Sequence, residues 1–153
     1  MRKGYSMIEL VFVMVLIGSF AIPKMSSSVN LAHISTGKDI LSSIRISLDT
    51  ERHKRILKGD FSPILSLSSN KNGIIFDYFS SDRDGHKNPV LNYPIKSCSN
   101  IGCWEKINNL SLNHINEQYK YYYGRNQTEF CIFKLYKNKF VGNCPPLKSF
   151  YGD

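Results

Sequence analysis

One carboxylate and four thiols carry most of the chemistry open to this sequence. Glu9 stands in an apolar run: from Met7 to Ile22 every other residue is apolar or small. A charge inside hydrocarbon costs roughly 2.5 to 3.5 kcal/mol on insertion scales, so a carboxylate kept there reads as a functional group. It is tolerable where it pairs with a cation. The thiols, Cys98, Cys103, Cys131 and Cys144, all follow the run. An even set on the exported side of an apolar segment suits disulfides. Zinc is the rival ligand, but the gaps are C-x4-C and C-x12-C, without the tight C-x2-C knuckle of zinc sites.

Three other groupings could do chemistry. Asp82-Arg83-Asp84-Gly85 sets alternate aspartates before a glycine, as calcium loops do, but the distal glutamate is absent and a plain turn is the simpler reading. Arg52-His53-Lys54-Arg55 is the densest basic cluster. Arg52, Lys54 and Arg55 are therefore the candidate nucleic-acid contacts, against the reading of a solvated helix end. Tyr119, Tyr121 and Tyr123 share one face by strand alternation. They could stack on bases, or pack against a helix in the ordinary way. His33, His53, His86 and His114 show no metal spacing, and the chain has no nucleophile motif and no Gly-rich phosphate loop. An enzyme is not expected, and neither a cofactor nor a metal.

These residues need two kinds of support. The apolar run with its flanks is about as long as a helix that crosses a bilayer, roughly 20 residues. Arg2 and Lys3 precede it, which keeps the N-terminus cytoplasmic. Pro23 bends this helix without ending it. Beyond it Ile40, Ile44 and Leu48 form an i, i+4, i+8 stripe, one face of an amphipathic helix. Gly37 weakens its middle; Gly59 is placed as a C-cap, with Lys54, Arg55 and Lys58 at the negative end of the dipole. A helix over 6–57 spans about 78 Å, more than one small domain can bury. From Asp60 to Lys96 only Gly73–Phe79 reads as a strand. A short strand or turn over Ile107–Leu112, then strands over Tyr119–Tyr123, Glu129–Tyr136 and Lys139–Gly142, make the last third a β region. With 153 residues the chain is one soluble domain on a stalk. From Lys24 onward 18 basic residues face 11 acidic ones, a balance that suits nucleic acid or anionic headgroups.

The N-terminus admits three readings. A secretory signal peptide needs a small-residue cleavage site; Ser19 and Ala21 offer one, but Phe20, Ile22 and Pro23 make a poor exit. A plain anchor leaves Glu9 unexplained. The third is a resemblance: Gly4-Tyr5-Ser6-Met7-Ile8-Glu9-Leu10, followed by an apolar helix, resembles the N-terminus of bacterial type IV pilins and type II secretion pseudopilins. Tyr5 stands where the family usually has phenylalanine, and Ser6 where it has threonine. The resemblance covers roughly the first 25 residues.

It implies that a prepilin peptidase cuts between Gly4 and Tyr5 and methylates the amine of Tyr5. Glu9 then pairs with that amine on a neighbouring subunit during filament assembly. Residues 1–4 are a cytoplasmic leader, 5–23 a membrane and filament-core helix, 24–58 its amphipathic continuation, and 59–153 a periplasmic globular β domain. The implied partners are other pilin or pseudopilin subunits, the peptidase and an inner-membrane assembly platform. The implied location is the inner membrane, single-pass, and then the filament. Type II secretion, type IV piliation and DNA uptake remain open as the machine; the basic surface favours DNA uptake, with DNA as a further partner. The rival is an exported, disulfide-bonded binding domain on a simple anchor.

Four cysteines allow three pairings, and strand register selects one. With Lys137-Asn138 as a two-residue turn, Tyr136 faces Lys139 as the hydrogen-bonded closing pair. Leu135 then faces Phe140, Phe133 faces Gly142, and Cys131 faces Cys144, all non-hydrogen-bonded pairs with Cα atoms about 4.5 Å apart. A disulfide spans that distance. Cys98 and Cys103 are left to close a six-residue loop. The expected architecture is α+β and pilin-like: a long N-terminal helix packed on a small antiparallel sheet, stapled by disulfides.

Overall fold

Helix α1, Met7–Leu57, is built on the apolar run around Glu9 and the amphipathic stretch that follows, and it continues through Pro23. The structure, a computed structural model, describes residues 7–69, 71–107, 117–124, 128–136 and 138–147, with backbone alone for 20–30. Gly59 ends the helix. Its φ of +73° is open to glycine at little steric cost. It lets Gly59 N–H reach Ile56 O at 2.9 Å and Asp60 N–H reach Arg55 O at 2.8 Å. These are the paired bonds of a Schellman cap, with glycine at its C′ position. The chain forms two compact units, Met1–Ala32 and His33–Asp153.

In the second unit the buried stripe of the helix is Gly37, Leu41, Ile44, Leu48, Glu51 and Arg55. Its alternating spacing of four and three keeps one side facing the sheet. Ile40, expected on that stripe, sits at its margin and Leu41 replaces it. Gly37 has a packing role that propensity does not reveal: a Cβ there would meet the Tyr121 ring at 2.5–2.6 Å. The missing side chain lets the sheet approach, and the Tyr121 hydroxyl donates to His33 O.

Strands β1 (Ile74–Ile75) and β2 (Ile95–Lys96) make a short antiparallel pair. Strands β3 (Trp104–Ile107), β4 (Gln118–Tyr122), β5 (Phe130–Tyr136) and β6 (Lys139–Gly142) form an antiparallel sheet in that spatial order. A 3₁₀ turn, Pro145–Leu147, follows. Period-2 alternation sends Cys131, Phe133 and Leu135 inward from β5. The register Tyr136↔Lys139, Leu135↔Phe140, Phe133↔Gly142 is the one read from the turn. Trp104, fully buried, anchors the core, with ring centroids 4.8 Å from Tyr121, 5.2 Å from Phe133 and 5.5 Å from Phe76.

One strand expectation is corrected. The strand expected over Gly73–Phe79 stops at Ile75, because Phe76 takes φ +56°. That conformation is rare for a bulky residue. It turns the chain and drives the ring fully into the core, stacked 4.6 Å from Tyr119. β3, at Trp104–Ile107, was not expected and holds Trp104 inward; the short strand or turn expected over Ile107–Leu112 falls, beyond Ile107, on 108–116, outside the described residues. β2 carried no strand signal, having only two residues. Tyr123 falls just beyond β4, half-buried against the core.

Three carboxylates tie down the segment after the helix. Asp60 accepts from Ser62 N and Arg83 N at 2.9 Å each. Bonds from Ser62, its hydroxyl first and then its backbone N–H, hold Asp60 down to about 2. Burial raises Asp77 and Asp82, but hydrogen bonds outweigh it: from Ser69 to Asp77, and from His86 N–H and Lys58 to Asp82. Both carboxyls end below their ordinary value of 3.8. A depressed folded pKa gives stability that is whole above the unfolded value and lost as pH falls through the folded one. The thermal midpoint should therefore hold from about pH 7 to 5 and drop between about pH 4 and 2. Trp104 fluorescence during melts reads this; a midpoint unchanged down to about pH 2 would contradict it.

Candidate functional site

In the unit Met1–Ala32, the described side chains over Met7–Ile17 expose apolar surface on every side of the helix. From Met7 to Ile17 each large apolar side chain is exposed, from 45% at Leu16 to 88% at Met7. Successive helical residues are about 100° apart, so the ten apolar residues among these eleven positions cover the whole circumference. A helix apolar all round is stable only inside an apolar surrounding. Glu9 lies exposed within this collar, in the first turn of the helix. Ser19 donates its hydroxyl to Leu16 O at 2.8 Å, which satisfies the group within the helix itself. Among the described residues no helix is long and apolar enough to cross a membrane; the described apolar side chains of this run end short of Phe20. Gly4 and Tyr5, the expected cleavage and methylation sites, lie outside the described residues.

The four cysteines form two disulfides. Cys131 and Cys144 have Cα atoms 5.3 Å apart, and Cys98 and Cys103 5.5 Å apart. With both thiols of each pair consumed, the zinc alternative falls. The first separation exceeds the 4.5 Å of an ideal ladder pair because Cys144 stands two residues past the end of β6. The smaller loop is fastened to the edge of the sheet: Cys98 N–H donates to Trp104 O and Tyr122 N–H to Cys103 O, each at 3.0 Å.

The basic cluster divides. Arg52 and Lys54 are exposed, but Arg55 is buried and does not offer its guanidinium to nucleic acid. Its Nε donates to Glu51 Oε1 at 2.9 Å and its Nη2 to Ser80 O. Asn88 Nδ2 donates to the other oxygen of Glu51 at 2.9 Å. The group is a structural clasp between the helix and the 80–88 loop. Glu51, one turn before Arg55 on the buried stripe, was the sequence signal for it.

Of the two readings of the tyrosine row, core packing holds and base stacking falls. Tyr119 and Tyr121 are fully buried, so their rings serve the core. Burial pushes the phenol of Tyr121 up to about 12, and raises that of Tyr119 too, above its ordinary value. Both stay protonated donors. Tyr119 OH bonds to Glu117, which also accepts from Ser66 Oγ at 2.7 Å, from Leu67 N at 2.8 Å and from Lys106. Sequence reading gave no hint of this carboxylate hub, whose donors come from distant segments.

Asp82, Asp84 and His86 do come within 4.8 Å of one another through their ligand atoms. Asp82 already accepts from Asp84 N at 3.1 Å and His86 N at 2.7 Å, the pattern of a side-chain-capped turn. The aspartates therefore read as turn chemistry. Compared with protein-family models, with curated proteins and with solved structures, the chain matches none.

Proposed function

We propose that this chain is a structural subunit, of the minor kind, of a bacterial pilus or pseudopilus that serves type II secretion, type IV piliation or DNA uptake. The observation that carries the reading is the apolar collar with one carboxylate inside it. Such a helix is stable in two settings, a lipid bilayer or a bundle of its own kind. Lipid opposes Glu9, whereas a bundle that brings a cation to it does not. Cleavage after Gly4 would create that cation at Tyr5. The free energy gained at Glu9 then favours the filament over the membrane. The disulfide-stapled unit His33–Asp153 remains the outward, periplasmic cargo of each subunit, and its role is structural rather than catalytic.

Glu9→Ala separates this reading from that of a binding domain on a simple anchor. Alanine is cheaper to insert, so membrane retention should hold or improve. Removing one partner of a buried ion pair costs about 3–5 kcal/mol, so filament incorporation should fall by about 100-fold or more. Fractionation of membranes and sheared filaments measures both. Equal incorporation of mutant and wild type would leave the chain a simple anchor.

A further inference from the structure

The solvent face of the four-stranded sheet is more apolar and more basic than strand alternation usually leaves outside. Phe130, Ile132, Tyr136 and Val141 point outward and are 38–46% exposed. Register orders the cations among them. Lys120 faces Ile132, and Lys134 stands two residues further along β5; Lys134 faces Val141, and Lys139 stands two residues before it on β6. Diagonal neighbours in an antiparallel ladder lie about 7–8 Å apart. The three lysines therefore form one oblique line, one per strand. Ile132 and Val141 form a second line beside it, and Phe130 stands two residues before Ile132 on β5. Lys120 Nζ lies 5.0 Å from the Phe130 ring centroid, which presents cation and ring together. Glu105, an outward carboxylate of β3, accepts from the Tyr122 hydroxyl and so is already engaged.

We infer that this face binds single-stranded nucleic acid, with phosphates along the lysine line and bases against Phe130, Ile132 and Val141. A polyanion matches the lysine line, and unpaired bases supply flat apolar faces for the lane beside it. A duplex hides those base faces and offers phosphates alone. An anionic bilayer calls for apolar side chains that protrude, whereas these are only 38–46% exposed. The site lies within the unit His33–Asp153 and does not rest on the filament reading.

The test uses the full chain in nanodiscs and a fluorescent oligo-dT probe at ~50 mM salt. Three neutralised phosphates predict a slope of log affinity against log salt of about −2. Lys120→Glu, Lys134→Glu and Lys139→Glu together should weaken binding by about tenfold or more, and Phe130→Ala alone by about 5- to 100-fold. Near-UV circular dichroism checks that each variant is folded, and lysine-to-glutamine versions replace any that is not. The equal charge change at exposed Lys71, Lys87 and Lys96 should leave affinity within about twofold. The proposal is overturned by no binding, by equal affinity for a duplex, or by equal weakening in the control. It is also overturned if the three lysines resist acylation in phosphatidylglycerol discs while oligo-dT does not bind, which would assign the face to an anionic membrane.

Discussion

Replacing Glu51 with alanine should destabilise the His33–Asp153 unit by about 3–5 kcal/mol, because it leaves the buried Arg55 guanidinium without its countercharge. Both side chains are 3% exposed, and the pair lies at 2.9 Å on one helical turn. The carboxylate also receives Asn88 Nδ2, so its removal strands two buried donors. The penalty is one of desolvation rather than of lost attraction. The double variant Glu51→Leu, Arg55→Met tests that distinction. It removes the charge with its partner, leaving Ser80 O without the Arg55 Nη2 donor, and should recover a good part of the loss. Urea midpoints of the single and double variants give both numbers. A single variant within about 1 kcal/mol of wild type would mean that the clasp is solvated.

The second large effect is at Trp104. Alanine there should cost about 3–5 kcal/mol, the range for an aromatic ring cut from a packed core. Phenylalanine should cost much less. The indole Nε1 is buried without an acceptor among the described residues, a burden of about 1–3 kcal/mol that Trp104→Phe removes together with some packing. Comparable losses for the two variants would show that the indole N–H has found an acceptor.

The sequence carried the hairpin and its staple clearly, for a physical reason. Strand alternation is strict, so fixing the turn at 137–138 fixes every pair back to Cys131, and β5 and β6 keep that register. Gly59 was equally plain, since a helix end that must take positive φ selects glycine. What escaped was set by distant partners. Phe76 breaks its strand because the core takes its ring, and Gly37 looks like a weak point until Tyr121 is laid across it. Arg55 reads as one of four surface cations, yet its burial depends on Glu51, Ser80 and Asn88 meeting it. Glu117 gathers donors from residues as far away as Ser66, and no local pattern foretells that. Under the filament reading Glu9 pairs with a cation of another subunit, which one chain does not show.

The filament reading stands most directly on the fate of the first four residues. Intact mass spectrometry of the protein extracted from its native membrane weighs that fate in one step. The account predicts a mature chain that begins at Tyr5, has lost Met1 to Gly4, and carries one added methyl group. A mature chain that begins near Pro23, or one that keeps Met1 to Gly4 unmethylated, would contradict it.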